Sequence, residues 1–183
     1  MRVRILLAVL AIAAVAAGFK FVAVKQELTQ QRAEIDEQWA NVEAAMQKRA
    51  DSVPHLLDPV RDSQFDPRQF DAAAKRLASA TSPQEKIRAN REISLVLAKL
   101  LLACETDPRL RRSGGFQRVR EELAAREDEI ANARFQYNNA LEHYNARMLR
   151  FPVNVVASLA GFSRNDAYFG TGPDAALAPK APN

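Results

Sequence analysis

The stretch FQRVREELAAREDEIANARFQYNNALEHYNARMLRF, residues 116–151, decides the fold. An apolar or aromatic residue recurs at every seventh position, which places these residues on one face of an α-helix. A helix of this length is about 54 Å long and needs other helices to cover that face. We predict one long helix that ends before Pro152, since proline disfavours the α conformation in the preceding residue. The row comprises Phe116, Leu123, Ile130, Tyr137, Tyr144 and Phe151, beside the companion row Val119, Arg126, Ala133, Ala140 and Arg147.

A second heptad pattern begins at Leu28 and predicts a long first helix with one buried face. Arginine fills position 49 of this pattern. Either Arg49 pairs with an acid on a neighbouring helix or reaches water along its stem, or it makes a polar contact that fixes register or meets a ligand. We expect Pro54 to kink the helix, and Pro59 with residues 62–65 to end it. The two rows are Leu28, Ile35, Val42 and Leu56, and Trp39, Met46, Val53 and Val60.

Two shorter helices are predicted between the long ones. Asp66-Pro67 and Ser82-Pro83 each combine a capping residue with proline at the first helical position. The first of these helices is expected to reach Ala80 and the second about Glu105, followed by a turn at residues 113–115. Few glycines and a surplus of Ala, Leu, Glu, Arg and Gln complete the prediction of an all-α chain.

The N-terminal segment is predicted to anchor the chain in a membrane. Residues 5–19 are uncharged and mostly apolar, and residues 21–24 extend the run beyond Lys20. Twenty helical residues rise about 30 Å, which matches a hydrocarbon core, and the Lys20 stem can carry its charge to the head groups. The alternative is a cleaved secretory signal, for which Ala14-Val15-Ala16 is a suitable site. The flanking charges favour export of the domain only slightly.

The sequence contains no recognisable catalytic, metal or cofactor motif. His55 and His143 stand outside metal-ligand spacings, and Cys104 lies among leucines and alanines, where it is expected to pack as a small hydrophobe. We therefore predict no enzyme, no cofactor, no metal and no small-molecule substrate. Five arginines between Arg109 and Arg120 either form a solvated surface or contact anionic lipid, and we predict no nucleic-acid partner.

Asn138 and Asn145 each follow a tyrosine of the long row and lie one heptad apart on one helical face. They either form hydrogen bonds within the helical domain and specify its packing, or form a polar strip that a partner helix or peptide recognises. After Pro152, residues 153–160 are expected to form one or two helical turns. The aromatic residues Phe162, Tyr168 and Phe169 are expected to dock back on the helices.

The sequence resembles the LemA family. The first helix carries WANV (39–42) and QKRADSVPHL (47–56), and the C-terminal half carries EDEIANARFQYN (127–138), Tyr144-Asn145, Phe151-Pro152, Gly161-Phe162 and Tyr168-Phe169. The resemblance covers about residues 20–169. It departs from the family pattern at Thr106-Asp-Pro108-Arg-Leu110 and at His55.

The resemblance implies an antiparallel four-helix, up-and-down-like bundle with long first and last helices, preceded by one transmembrane helix. The expected organisation is an anchor at 1–24, a helical bundle at 25–169 and a disordered tail at 170–183. Members of the family are often encoded beside a membrane-bound zinc protease, and relatives occur in magnetosome membrane formation. The resemblance therefore implies a single-pass protein of a bacterial cell membrane.

The function expected is that of a membrane-anchored scaffold or adaptor that presents a helical face to a membrane-protein partner. The alternative is peripheral binding to anionic lipid through Arg109–Arg120. The candidate interaction or packing-specificity residues are Trp39, Arg49, Asp51, Glu127, Arg134, Tyr137, Asn138, Tyr144 and Asn145.

Overall fold

The structure, a computed structural model, describes residues 2–57, 66–167 and 169, and among these residues it contains helices and no strand. The helices are α1 (Arg2–Leu57), α2 (Pro67–Ser79), α3 (Pro83–Thr106), α4 (Pro108–Arg111), α5 (Gly114–Met148) and α6 (Val153–Ala160). The all-helical prediction is confirmed. Val60, the predicted helix end at Pro59 and 62–65, Tyr168 and the predicted tail lie outside the described residues.

The chain divides into two compact units. The terminal unit comprises Met1–Trp39 with Arg134–Asn183, and the central unit comprises Ala40–Ala133. The long helices α1 and α5 contribute to both units, because each helix continues through a unit boundary.

In the terminal unit, α1 and α5 run antiparallel. The rings of Trp39 and Tyr137 lie 5.6 Å apart, and Arg147 donates to Glu27 through two hydrogen bonds of 2.6 and 2.9 Å. Ten residues forward along α5 therefore correspond to twelve residues backward along α1. Glu27, at the polar end of this pairing, lies three residues after Val24, the last residue of the apolar run.

In the central unit, α2 and α3 form a helical hairpin. Arg76 on α2 donates to Glu92 on α3 at 2.5 Å, and the two helices pack along their lengths. The hairpin also meets α1, because Lys86 lies 2.8 Å from the Glu43 carboxylate. The apolar face of α3 is buried at Ile93, Leu97, Leu100 and Cys104.

The two heptad rows are buried over most of their described lengths. Leu28, Ile35, Val42, Met46 and Val53 are buried on α1, as are all members of the α5 row from Phe116 to Tyr144. The prediction was wrong at Phe151, which is 83% exposed, because α5 ends at Met148 and the row loses its helical register there. The helix α1 also continues beyond Pro54 to Leu57.

Two further details differ from expectation between Asp107 and Gly115. A short helix, α4, follows Asp107, whose carboxylate accepts a 2.8 Å hydrogen bond from the Arg109 amide. Gly114 and Gly115 belong to the first turn of α5 instead of a turn before it. The Ser113 hydroxyl caps that turn by accepting from the Phe116 amide at 3.1 Å.

Among the described residues, α1 is the one helix long and apolar enough to cross a membrane, and its apolar window has no residue buried within the protein. Burial begins at Val24. A helix that is apolar on every side has no polar face to present to water, which is the pattern of a membrane span or a signal sequence.

The predicted cap of α3 gives a first testable expectation. Ser82 accepts from the Glu85 amide, and the Glu85 carboxylate accepts from the Ser82 and Thr81 amides, which together form a capping box. Ser82→Ala should lower the free energy of unfolding by about 1 kcal/mol, because it leaves a helix-end donor without its acceptor. Denaturant titration followed by circular dichroism measures this loss. Ser79→Ala, at the exposed end of α2, should stay within about 0.5 kcal/mol; equal losses in both variants would contradict the capping role.

Candidate functional site

The Arg49 side chain is the centre of a polar network inside the central unit. It is 2% exposed and occupies the row position between Val42 and Leu56. One terminal nitrogen donates to the Ser94 hydroxyl at 2.9 Å and to the Glu127 carboxylate. The other donates to both oxygens of Asn90, at 2.9 Å to the carbonyl and 2.5 Å to the side chain.

This network joins three helices, because Arg49 lies on α1, Asn90 and Ser94 on α3 and Glu127 on α5. A buried guanidinium requires a countercharge and acceptors, and here both are supplied. Of the two interpretations of Arg49, pairing with an acid on a neighbouring helix is what the structure contains. Asp51 is separate from the network, since it is exposed and accepts from Gln47 at 2.7 Å.

Asn90 and Ser94 were missed by sequence reasoning, although the sequence contains a signal for Asn90. It precedes Leu97 and Cys104 by one and two heptads, so it occupies a buried row of α3. A polar residue in such a row requires a partner. Arg49 in the α1 row is the matching polar residue.

Three aromatic side chains meet in the terminal unit. Trp39 stacks on Phe169 with ring centroids 5.9 Å apart, and Tyr137 meets both rings edge-on, at 5.6 and 5.5 Å. The Arg134 guanidinium lies 5.3 Å from the centre of the Phe169 ring, within the range of a cation–π contact. Burial raises the pKa of the Tyr137 phenol, and the nearby Asp36 carboxylate raises it further. Tyr137 therefore stays neutral and acts through packing.

Asn138 and Asn145 hold the segment that follows α6, which we call the C-terminal segment (residues 162–167 and 169). The Asn145 side chain donates to the Asn165 carbonyl at 2.7 Å and accepts from the Asn165 amide at 3.0 Å. Asn138 makes the same pair of bonds with Phe169, at 3.0 and 2.9 Å. Each asparagine thus satisfies the donor and the acceptor of one backbone residue, as a neighbouring strand would.

Tyr144 adds a third contact to the C-terminal segment. Its hydroxyl donates to the Ser163 carbonyl at 3.1 Å. Burial raises the pKa of this phenol, and the positive charge of Arg32 partly opposes the shift. The hydroxyl consequently keeps the proton that the hydrogen bond needs.

The predicted site residues thus fall into two groups. Arg49 and Glu127 meet in the central unit, and Asp51 does not join them. The residues of the terminal unit meet around the C-terminal segment: Trp39, Arg134, Tyr137, Asn138, Tyr144 and Asn145. The asparagine strip therefore recognises a peptide backbone, and the backbone it contacts is the chain's own.

The contacts of this arrangement are those of binding and packing. Amide, phenol and indole groups here form hydrogen bonds and ring contacts. Within residues 2–57, 66–167 and 169, no group of three or more His, Cys, Asp or Glu side chains could hold a metal ion.

The arginines between Arg109 and Arg120 are exposed on α4, at its C-cap residue Arg112 and on the first turns of α5. The Arg118 side chain donates to the Gly114 carbonyl, and the backbone amide of Arg109 donates to the Asp107 carboxylate. Exposure of this kind is equally suited to water and to lipid. It gives the lipid interpretation no advantage over a solvated surface.

Comparison with known proteins identifies one relationship. The model of the LemA family matches residues 38–182, which is most of the chain. The match begins one residue before Trp39 and covers both groups of site residues. No curated protein matches the sequence.

Proposed function

The chain belongs to the LemA family, and from this premise we propose that it is a membrane-anchored helical scaffold or adaptor. In this role α1 holds the domain at the bilayer, and one face of the domain binds a membrane protein. A membrane-bound zinc protease is the class of partner that the resemblance to the family suggests.

The observation that carries the proposal is the continuity of α1. One helix contains both the apolar run and the buried row from Leu28 to Val53, with no linker between them. A flexible tether would let a domain diffuse around its anchor, whereas a helix without a break transmits the direction of the span into the domain. A fixed orientation suits a protein whose task is to present one face to a membrane partner.

We also propose that the helices form a four-helix, up-and-down arrangement. Within the central unit, α1 and α3 run in the same direction, because Glu43 pairs with Lys86 and Arg49 with Asn90. The hairpin reverses α2 relative to α3. The fourth helix is α5, which contacts α1 in the same unit, where Lys48 lies 3.0 Å from Glu129.

The partner face is best placed beside the asparagine strip, on the exposed side of α5. Phe135 is 60% exposed there, one helical turn from Asn138 and Asn139. A large exposed aromatic side chain is common at the centre of a protein interface, where its burial stabilises the complex. Asn138 itself is engaged with the C-terminal segment.

A photo-cross-linking experiment tests this function. The full chain carrying Phe135→p-benzoylphenylalanine is irradiated in native membranes, and the products are identified by mass spectrometry. The matched control is Leu102→p-benzoylphenylalanine on α3, because Leu102 is 62% exposed and equally apolar. We expect a specific membrane protein from position 135 and none from position 102. Recovery of no membrane protein above background at position 135 would contradict the proposal.

A further inference from the structure

We propose that the corner between α5 and α6 is a second membrane contact, in which Leu149, Phe151, Val155 and Leu159 insert into the interface of the bilayer. This inference rests on the proposed membrane anchor. It adds a lipid-binding surface that is separate from the span and from the partner face.

The four apolar side chains are exposed and lie close together in the sequence, on both sides of the corner. Leu149 and Phe151 are 67% and 83% exposed, and Val155 and Leu159 are 47% and 74% exposed. A single exposed leucine is ordinary on a protein surface, whereas four large apolar residues within eleven positions form a patch that water covers poorly.

The helix α6 directs this patch away from the protein. Val153, Val156 and Ala157 are buried and define its inner face. Successive helical residues rotate by about 100°, so Val155 lies about 200° from Val153, on the opposite side of the helix. Asn154 and Ser158 are exposed between the apolar residues. This mixture suits the head-group region better than the hydrocarbon centre.

The position of the corner selects the lipid surface as the occupant. The pairing of Arg147 with Glu27 and the antiparallel course of α1 and α5 direct the end of α5, at Met148, toward the residues that precede Glu27. These are the residues around Val24, where the apolar run ends and burial in the protein begins. A span that leaves the hydrocarbon core near Val24 places the four apolar side chains at the same depth in the bilayer as Val24.

The charges around the corner agree with this placement. Lys20, Lys25 and Arg150 are exposed near the end of the span. Long basic side chains at this depth extend their charges to phosphate groups while their stems remain in apolar surroundings. Anionic head groups therefore complement the rim of the patch.

Depth-dependent fluorescence quenching tests the inference on the full chain in vesicles. A polarity-sensitive dye is attached through Val155→Cys or Leu159→Cys, and the native Cys104 is buried, so labelling is directed to the introduced thiol. Vesicles of phosphatidylcholine and phosphatidylglycerol carry a nitroxide near the head-group end of the acyl chain. Ile12→Cys reports the span, and exposed Glu37→Cys, about 20 Å along α1 from Val24, is the matched control.

We expect a blue-shifted emission and severalfold stronger nitroxide quenching at 155 and 159 than at 37. Quenching at 155 and 159 equal to that at 37, with strong protection from water at 12, would overturn the inference and leave the anchor intact. Failure of position 12 to enter the bilayer would instead overturn the anchor and this inference together. A blue shift without nitroxide quenching would also overturn the inference, since a protein surface would then cover the patch. Circular dichroism identical to that of the parent chain verifies the fold of each variant.

Discussion

Arg49→Met should lower the free energy of unfolding by about 3 kcal/mol. Methionine keeps most of the apolar stem and removes the guanidinium. Asn90 is fully buried, and its side-chain oxygen would lose the donor that Arg49 supplies, although its carbonyl still accepts from the Ser94 hydroxyl. The partly exposed Glu127 carboxylate can instead turn to water. Urea unfolding of the detergent-solubilised full chain, followed by circular dichroism, measures the difference.

Lys48→Met is the matched control because it makes the same substitution one residue away. Lys48 pairs with Glu129 at 3.0 Å, but the Lys48 side chain is 57% exposed, and such surface pairs contribute about 1 kcal/mol or less. The stability of this variant should therefore remain close to that of the parent. A loss at position 49 no larger than the loss at position 48 would show that the buried network is not a source of stability.

Asn145→Ala should release the part of the C-terminal segment around Asn165. The substitution removes both bonds that Asn145 makes with the Asn165 backbone, and the Asn165 amide then loses its acceptor. We expect hydrogen exchange of that amide to accelerate at least about tenfold, which corresponds to about 1.4 kcal/mol of local stability. Asn138→Ala should have the same effect on the Phe169 amide.

The adjacent Asn139→Ala serves as the control for both variants, since it changes the same residue type on the same helix. Exchange of the Asn165 and Phe169 amides should be unchanged in it. Nuclear magnetic resonance of the solubilised chain resolves the individual amides. Unaltered exchange in Asn145→Ala would mean that the asparagine strip does not hold the segment.

Periodicity was sufficient to predict the two long helices and most of their buried faces. The rows through Leu28 and Phe116 depend on residues seven apart, and helical geometry alone brings such residues together. The caps at Asp66 and Ser82 were equally local signals, and both form the predicted bonds. The prediction that Phe151 is buried was wrong because residues seven apart share a face only within a helix, and α5 ends at Met148.

The partners of the site residues were less predictable. The sequence indicated that Arg49 requires an acid, but Glu127 is one of several acids on α5, and the register of two helices selects it. The role of Asn138 and Asn145 depends on a non-helical segment, for which no periodicity exists. Two interpretations therefore remained open, and the docking of Phe169 beside Trp39 shows that the chain's own backbone occupies the strip.

The pairing of α1 with α5 also has a consequence for the order of events during synthesis. The bond between Arg147 and Glu27 joins residues 120 apart, whereas the one between Arg76 and Glu92 joins residues 16 apart. The hairpin can therefore close soon after it leaves the ribosome, because short loops lose little entropy on closure. The Leu28 to Trp39 surface of α1 must wait for α5 and the C-terminal segment, so it emerges early and is covered last.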